Sequence, residues 1–519
     1  MSYTHRYFAR ICIEAETPLA VGSGEKGLNT DRLVAKDANG LPYIPGTSLA
    51  GVLRHSFGNA KWVADVFGAG GTDGKGSRLI VSSAFLVGAD GQTVMEGLRN
   101  IDLTEGFYSY FSRLPERDHV RINDKGAADT ENHGKFDEEV VHKGTRFVFE
   151  IEFIANSNEQ DKAYWEEILA SFSSPAYRIG GGTRKGFGKL KILSDKSKTI
   201  TLNLTQESDL KTYLKKSGSL NDPTPTWGKL QVEQMSKFDG WTDYSLKLKA
   251  KDFFTFSEGI GDSEADNVPK KERYFDWTNQ KPVLTDKAFT LIPATSIKGA
   301  LSHRVAYHYN DEKNLTIGKD MEGLKSDMDL EKFKENIVKD LNVEEKSYAS
   351  DSLEWERLKE RIEALTLEDN KVWQEFQADL KDEVLTKKGF TSPVGENNEA
   401  VKNLFGYSKN TEEDIEGLRG RVLIEDVYLP SDTVKEKVFS HTSIDRFTSG
   451  IRDGALFQEK ASYVEDEIEI KIWVEEKAWE NNEVIKVAFE KSLKDLQSGR
   501  LALGGSTTKG HGMFTTSKN

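Results

Sequence analysis

Ile44-Pro45-Gly46-Thr47-Ser48-Leu49-Ala50-Gly51-Val52-Leu53-Arg54 returns later in the chain as Ile292-Pro293-Ala294-Thr295-Ser296-Ile297-Lys298-Gly299-Ala300-Leu301-Ser302. A second stretch, Gly180-Gly181-Gly182-Thr183-Arg184-Lys185-Gly186-Phe187-Gly188, returns as Gly504-Gly505-Ser506-Thr507-Thr508-Lys509-Gly510-His511-Gly512. Between these anchors Val66-Phe67-Gly68 is echoed by Leu404-Phe405-Gly406, and Arg78-Leu79-Ile80-Val81 by Arg421-Val422-Leu423-Ile424, in the same order. A fused duplication explains this. Each copy has a proline breaking a strand, then a Thr-Ser helix opening, and closes on a glycine-rich loop that carries cations.

Working outward, the first copy fills about residues 1–200 and the second 243–519, and the polar stretch 201–242, with Asn221-Asp222-Pro223-Thr224-Pro225-Thr226, reads as a linker. Strands are expected at 7–15, 79–86, 145–154 and 189–193, with an amphipathic helix at 163–172. Tyr244–Lys251 repeats the opening strand and Glu467–Val474 the long one at 145–154. Strands and helices mix without a regular βαβ alternation, so the class is α+β. The copies differ in spacing: Phe67 follows Ile44 by 23 positions, but Phe405 follows Ile292 by 113. The additional segment, at about 308–400, is acidic and carries apolar residues at helical spacing, as in Leu330, Phe333, Ile337 and Leu341. It reads as a helical insertion.

The chain of 519 residues is 37% hydrophobic and 30% charged, with no apolar run long enough to span a bilayer. The segment Phe8–Glu14 alternates as a strand and does not read as a signal peptide, so a cytoplasmic location is expected. A single cysteine, Cys12, excludes an intrachain disulfide and a cysteine-cluster zinc site. The net charge of −14 counts against nucleic-acid binding only on average. Acidic residues concentrate in the insertion, whereas Arg178, Arg184, Lys185, Lys189 and Lys191 cluster around the first glycine loop.

Glycine loops allow positive φ and close backbone approach, so amides and neighbouring cations can converge on phosphate oxygens. The candidates are Arg178, Gly180, Gly181, Gly182, Arg184 and Lys185 in the first copy, and Gly504, Gly505, Thr508, Lys509 and His511 in the second. Thr47, Ser48, Thr295 and Ser296 are positioned to cap helices whose amino ends favour anions. Arg54, Lys298 and Arg304 add cations on the same helices. The ligand this chemistry suits is a polyanionic backbone.

Together, Leu41–Leu49, the Phe-Gly pair, the Arg-Leu-Ile strand and the terminal glycine loop resemble the RAMP superfamily of CRISPR-associated proteins, specifically the backbone subunits of type III effector complexes. Thr442–Thr448 with Gly454–Phe457 is similar to that family's hairpin region, which the first copy renders as His119–Asn123 and Gly134–Glu138. The fused form most resembles the type III-D branch. The resemblance implies two tandem ferredoxin-like (RRM-like) domains, each with a thumb hairpin that interrupts a guide:target duplex. It implies a guide CRISPR RNA, a complementary target RNA, other RAMP backbone subunits, a small helical subunit and a large polymerase-like signalling subunit as partners, and no membrane.

In cleaving members of that family an aspartate before the Ile-Pro-Gly junction cuts target RNA. Here the position is Asp31, with Asp266 the second copy's counterpart and Asp262 and Asp276 its competitors. Such cleavage uses Mg2+ (or Mn2+). No aspartate cluster or His/Glu set is present, so no permanently bound metal is expected. A guide-binding scaffold without catalysis is the alternative reading. A stand-alone processing endoribonuclease using His55, His119 or His511 is a third.

Overall fold

A computed structural model describes residues 3–27, 30–58, 60–70, 74–120, 134–231, 240–313, 394–407 and 417–516. The expected acidic insertion lies, from 314 to 393, outside the described residues, as do residues 121–133, on which part of the expected first hairpin region falls.

The first sheet is built on β1, His5–Ala15, paired antiparallel along its length with the long strand Arg146–Ala155. In that long strand Phe147, Phe149, Ile151, Phe153 and Ala155 alternate into the core, each 0% exposed. Period-two alternation of large apolar groups forces one face inward, and the helices Gly46–Ser56 and Glu159–Ser171 cover it with Leu49, Leu53, Trp165 and Ile168. We number these helices α1 and α2. With β2 as Leu79–Val81, β3 as Glu116–Val120, β4 as Lys135–Glu139, β5 as the long strand and β6 as Leu190–Ile192, the order across this core is β2-β5-β1-β6. Phe149→Ala is expected to cost about 3–5 kcal/mol, because a cavity opens under a fully covered strand. Urea unfolding of the variant measures it.

The expected linker is not one. Lys198–Asn203 forms β7 and pairs with β1 from His5↔Asn203 to Arg10↔Lys198, and the helix α3, Glu207–Lys215, follows. Arg10 Nη1 then donates to the Leu220 and Asp222 carbonyls, and its guanidinium lies 4.6 Å from the Trp227 ring centroid. The polar composition hid the β-branched run Thr199-Ile200-Thr201, which Leu202 follows into the core.

The second sheet repeats the first. With β8 as Trp241–Ala250, β9 as Val422–Ile424, β10 as Val434–His441, β11 as Phe457–Val464, β12 as Ile468–Glu475 and β13 as Phe514–Thr515, its order is β9-β12-β8-β13. Each position matches its counterpart in the first sheet. Helices and antiparallel sheets are therefore mixed in one chain, consistent with the expected α+β class. Asp266 lies 26 positions before Ile292, against 13 from Asp31 to Ile44, and the difference accommodates an added hairpin, Phe275–Asp276 paired with Val283–Leu284. Phe275 is buried in the first sheet's core, 5.1 Å from Phe107 and 5.6 Å from Phe111 between ring centroids.

The chain forms two compact units. One comprises Met1–Lys298, Val422–Glu475 and Ala502–Asn519 and holds both sheets; the other comprises Gly299–Arg421 and Glu476–Leu501. In the latter, α6 (Glu483–Gln497) buries Ile485, Phe489, Leu493 and Leu496 at helical spacing, following α4 (Ala294–Glu312) and α5 (Glu399–Phe405) in the chain. Asp495, 2% exposed, takes Arg304 at 2.5 Å, His308 at 2.7 Å and Arg500 at 2.7 Å. Among the described residues no helix is long and apolar enough to cross a membrane.

Candidate RNA-binding and cleavage site

Each sheet carries a hairpin, β3–β4 in the first copy and β10–β11 in the second. In the first, alternation sends Arg117 and His119 inward and leaves Glu116, Asp118 and Val120 exposed. Asp31 sits at this hairpin's base and is exposed. Its N–H donates to Asp137 Oδ1 at 2.8 Å, and the Asp137 N–H donates back to Asp31 Oδ2 at 3.3 Å. The next residue, Arg32, forms a parallel bridge with Glu138, whose neighbour Glu139 donates its N–H to the Arg32 carbonyl at 3.0 Å.

The second copy has the same stitching around Asp266. Gln458 N–H donates to Asp266 Oδ2 at 2.7 Å, and Asn267 bridges Glu459 in parallel. Asp266 therefore occupies the place of Asp31. Asp262 is instead tied to Lys460 Nζ at 2.8 Å, and that hydrogen bond leads in drawing its carboxyl down to about 2. Asp276 lies on the added hairpin.

Behind each aspartate lies a buried carboxylate that composition did not reveal. Glu138, 1% exposed, has His119 Nε2 at 2.9 Å and Lys185 Nζ at 2.9 Å. Burial by itself raises this carboxyl, but the His119 and Lys185 contacts outweigh it and hold it at about 2. Burial chiefly lowers the His119 ring's proton affinity, against the Glu138 contact that raises it. Glu459, 3% exposed, has His441 Nε2 at 3.3 Å and accepts from the Ser506 hydroxyl at 2.7 Å. His119 stacks on Phe136 at 4.9 Å and His441 on Phe457 at 4.8 Å, while Lys185 lies 4.1 Å above the first ring and Lys509 4.8 Å above the second. The signal lay in the cross-strand pairs His119↔Phe136 and His441↔Phe457, visible only once register is known.

The glycine loops dock on the segment after each opening strand. Gly180 has φ +88° and a Cβ there would stand 2.4 Å from the Ala20 carbonyl oxygen; Gly504 has φ +89° and a Cβ 2.3 Å from that of Thr255. The amides of Gly181, Lys185, Phe187 and Gly188 are engaged within the chain, so the loop offers an anion mainly its side chains. Gly182 keeps the left-handed turn that opens Thr183–Lys185, as Ser506 does for Thr507–Lys509. Gly505, Thr508 and Lys509 are exposed, and the His511 ring is half-buried, 5.2 Å from that of Phe439.

Two capping expectations are corrected. α1 begins at Gly46 behind Pro45 with no side-chain cap, so Thr47 and Ser48 lie in its first turn, and Gly46 N–H meets the Ser83 hydroxyl at 3.2 Å. In α4 the cap is Asp426, which accepts from the Ala294 N–H at 2.7 Å, and Thr295 and Ser296 are again in the first turn. Asp426 also pairs with Arg117 Nη2 at 2.9 Å, and Arg117 reaches Glu272 at 2.8 Å. Burial opposes the Arg117 charge; the Asp426 and Glu272 carboxylates overcome it and fix the proton firmly. Removing one side leaves buried charges uncompensated, so Arg117→Ala is expected to cost about 3–5 kcal/mol in urea unfolding, far more than an exposed arginine.

Two cations are also corrected. Arg178 is 1% exposed, donates to the Pro175 carbonyl at 3.2 Å and lies 3.7 Å from Glu425, so it is a core group with no face for RNA. Arg304 is spent on Asp495. Arg54 is exposed and donates to the Gly68 carbonyl at 2.8 Å.

Three cations do converge. A Cβ on Gly186 would stand 2.8 Å from that of Ala294, so the first copy's glycine loop lies at the amino end of the second copy's helix. This brings Arg184 and Lys185 near Lys298. Burial chiefly, then those two charges, pull the Lys298 ammonium down to about 8. Like charges gathered at a helix amino end suit a phosphate.

Among the described residues no group of three or more His, Cys, Asp or Glu is arranged to hold a metal. Asp31 and Asp137 nevertheless adjoin, with Asp118 across the strand pair from Asp137. Two carboxylates fit a Mg2+ or Mn2+ ion shared with a substrate phosphate. The matching positions of the second copy are Gln458 and Ser440, with Lys460 in place of Glu139. An open cavity of about 480 Å³ adjoins the first site, lined by Glu25, Val34, Lys36, Tyr43, Pro45 and Glu139 among others.

The family model of the RAMP superfamily matches residues 12–191 and 279–515. A search of the curated proteins gives no match.

Proposed function

Since this chain belongs to the RAMP superfamily, which fits a CRISPR-associated RNA-binding subunit, we propose that it is a fused backbone subunit of a type III effector, of the III-D kind, that holds guide RNA and cleaves the complementary target. The observation that carries this is the repeated aspartate at a hairpin base, Asp31 and Asp266, each stitched through the following residue to the hairpin's second strand. The strand order shared by both sheets supports a ferredoxin-like core, with the hairpins as thumbs. Arg184, Lys185 and Lys298 hold guide phosphates across the junction of the copies, and Thr508 and Lys509 continue the track.

RNA carries its own nucleophile, the 2′-hydroxyl, so the chain need only hold the linkage in line and help remove the proton. Asp31 receives that proton or orients the attacking oxygen, with Asp137 and Asp118 beside it. A divalent ion held by Asp31 and Asp137 would supply charge neutralisation at the phosphate. Around Asp266, Gln458 and Lys460 replace Asp137 and Glu139, and Lys460 is itself held by Asp262 at 2.8 Å and Glu264 at 2.7 Å.

Neighbouring RAMP subunits are the natural partners. Gly186 is covered by Ala294, whereas a Cβ on its counterpart Gly510 meets nothing within 4 Å among the described residues. The second glycine loop thus presents the face that the first uses to receive a helix end. The small helical and the large polymerase-like subunits complete the assembly in this reading. The test is crosslinking of the assembled complex: guide RNA attached at Lys185, Lys298 and Lys509 supports the proposal, and a complex that assembles without RNA at these residues overturns it.

A further inference from the structure

The glutamates behind the two aspartates carry one more step, which rests on the cleavage reading above. The copies have diverged around the hairpin base: Asp118 faces Ser440 in the comparison, Asp137 faces Gln458, and Glu139 faces Lys460. Through that divergence the buried carboxylate, its histidine and the stacked phenylalanine are unchanged. Even the donor from the glycine loop has changed identity and position. Lys185, from the end of the first loop's turn, reaches Glu138, while Ser506, from the start of the second loop's turn, reaches Glu459. What persists is the connection. A buried carboxylate is weak evidence for stability, since its desolvation offsets most of the attraction, so its repetition calls for another role.

The geometry supplies one. Glu138 takes Lys185 with its side chain, and its backbone bridges Arg32, the residue after Asp31; the preceding Asp137 exchanges hydrogen bonds with Asp31 itself. Glu459 takes Ser506 and bridges Asn267, the residue after Asp266. Glycine loop, hairpin and aspartate loop therefore meet at one glutamate in each copy, the first through its carboxylate and the last through its backbone. We infer that Glu138 and Glu459 are positioning residues: each transmits the placement of its glycine loop, set by the guide backbone, to the aspartate that faces the target. His119 and His441 approach the carboxylate from the hairpin's first strand, at 2.9 and 3.3 Å.

The test uses Glu138→Gln and Glu459→Gln in the guide-loaded complex, which keep shape and remove charge. Hydrogen exchange is read at the amides of residues 30–34 and 266–268, with and without guide. Glu138→Gln is expected to speed exchange at 30–34 by tenfold or more and to abolish the protection that guide loading adds there, leaving 266–268 unchanged; Glu459→Gln gives the converse. Cleavage at the matching product falls about tenfold while the other product and guide loading persist. Unchanged exchange at 30–34 in Glu138→Gln, or equal loosening of both loops, overturns the inference. If exchange responds as stated but Asp31→Ala and Asp266→Ala leave every product in place, the positioning role stands and the cleavage reading falls.

Discussion

Lys298→Glu lowers guide-RNA affinity by two orders of magnitude or more at physiological salt, and flattens the dependence on salt by more than the loss of one contact. Each phosphate neutralised on a single strand adds about 0.7 to the slope of log K against log salt. The substitution both removes a cation and sets a carboxylate beside Arg184 and Lys185, which share the site at the amino end of α4. The sign of the pH effect follows from the lowered ammonium. In the empty protein Lys298 loses its proton near pH 8, and a phosphate restores the charge. Binding therefore takes up a proton above that pH, and affinity falls as pH rises from about 8 towards the ordinary lysine value. Lys298→Gln removes this slope. The same shift destabilises the empty fold: a lysine depressed in the folded state costs stability below pH 8, and the cost disappears as pH approaches the unfolded value. Lys298→Met thus raises the melting temperature at pH 7 while weakening RNA binding, measurable by calorimetry and filter binding on one preparation.

Asp31→Ala reduces cleavage at one target position by about 100-fold or more, the range for removing a positioned general base. Guide affinity stays within about threefold, because Asp31 contacts its own hairpin and none of the three convergent cations. Asp31→Asn falls nearly as far, since an amide keeps the Asp137 hydrogen bond but neither takes a proton nor supports a cation. The residual rate at the Asp266 position needs a higher divalent ion concentration than the Asp31 rate, because Gln458 stands where the first copy has the second carboxylate, Asp137. A titration of Mg2+ against the two product bands measures that difference.

The duplication was legible because it is written twice in one chain, and the strands at 5–15 and 146–155 because large apolar residues alternate there without interruption. Asp31, ahead of the Ile-Pro-Gly junction, was singled out by the resemblance to the RAMP backbone subunits and not by the residues alone. Its counterpart needed the structure: the hairpin of Phe275 and Leu284 lengthens the spacing, and only the bridge from Asn267 to Glu459 selects Asp266 over Asp262. Other features depend on contacts distant in sequence. Arg117 meets Glu272 and Asp426 across 155 and 309 positions, and the Asp426 cap replaces the expected Thr295 and Ser296. Arg178 shows the limit of reading charge along a chain, for a cation beside a glycine loop turned inward to Glu425. Glu138 and Glu459 stayed hidden because hairpin register, not composition, makes each the meeting point of three elements.

The most direct measurement is cleavage of an end-labelled RNA complementary to the bound guide by the assembled complex with Mg2+, comparing wild type, Asp31→Ala, Asp266→Ala and the double variant. The account predicts the loss of one product with each single substitution and of both with the double, while guide content is unchanged. An identical product pattern from all four proteins would contradict it and leave the chain a guide-binding scaffold.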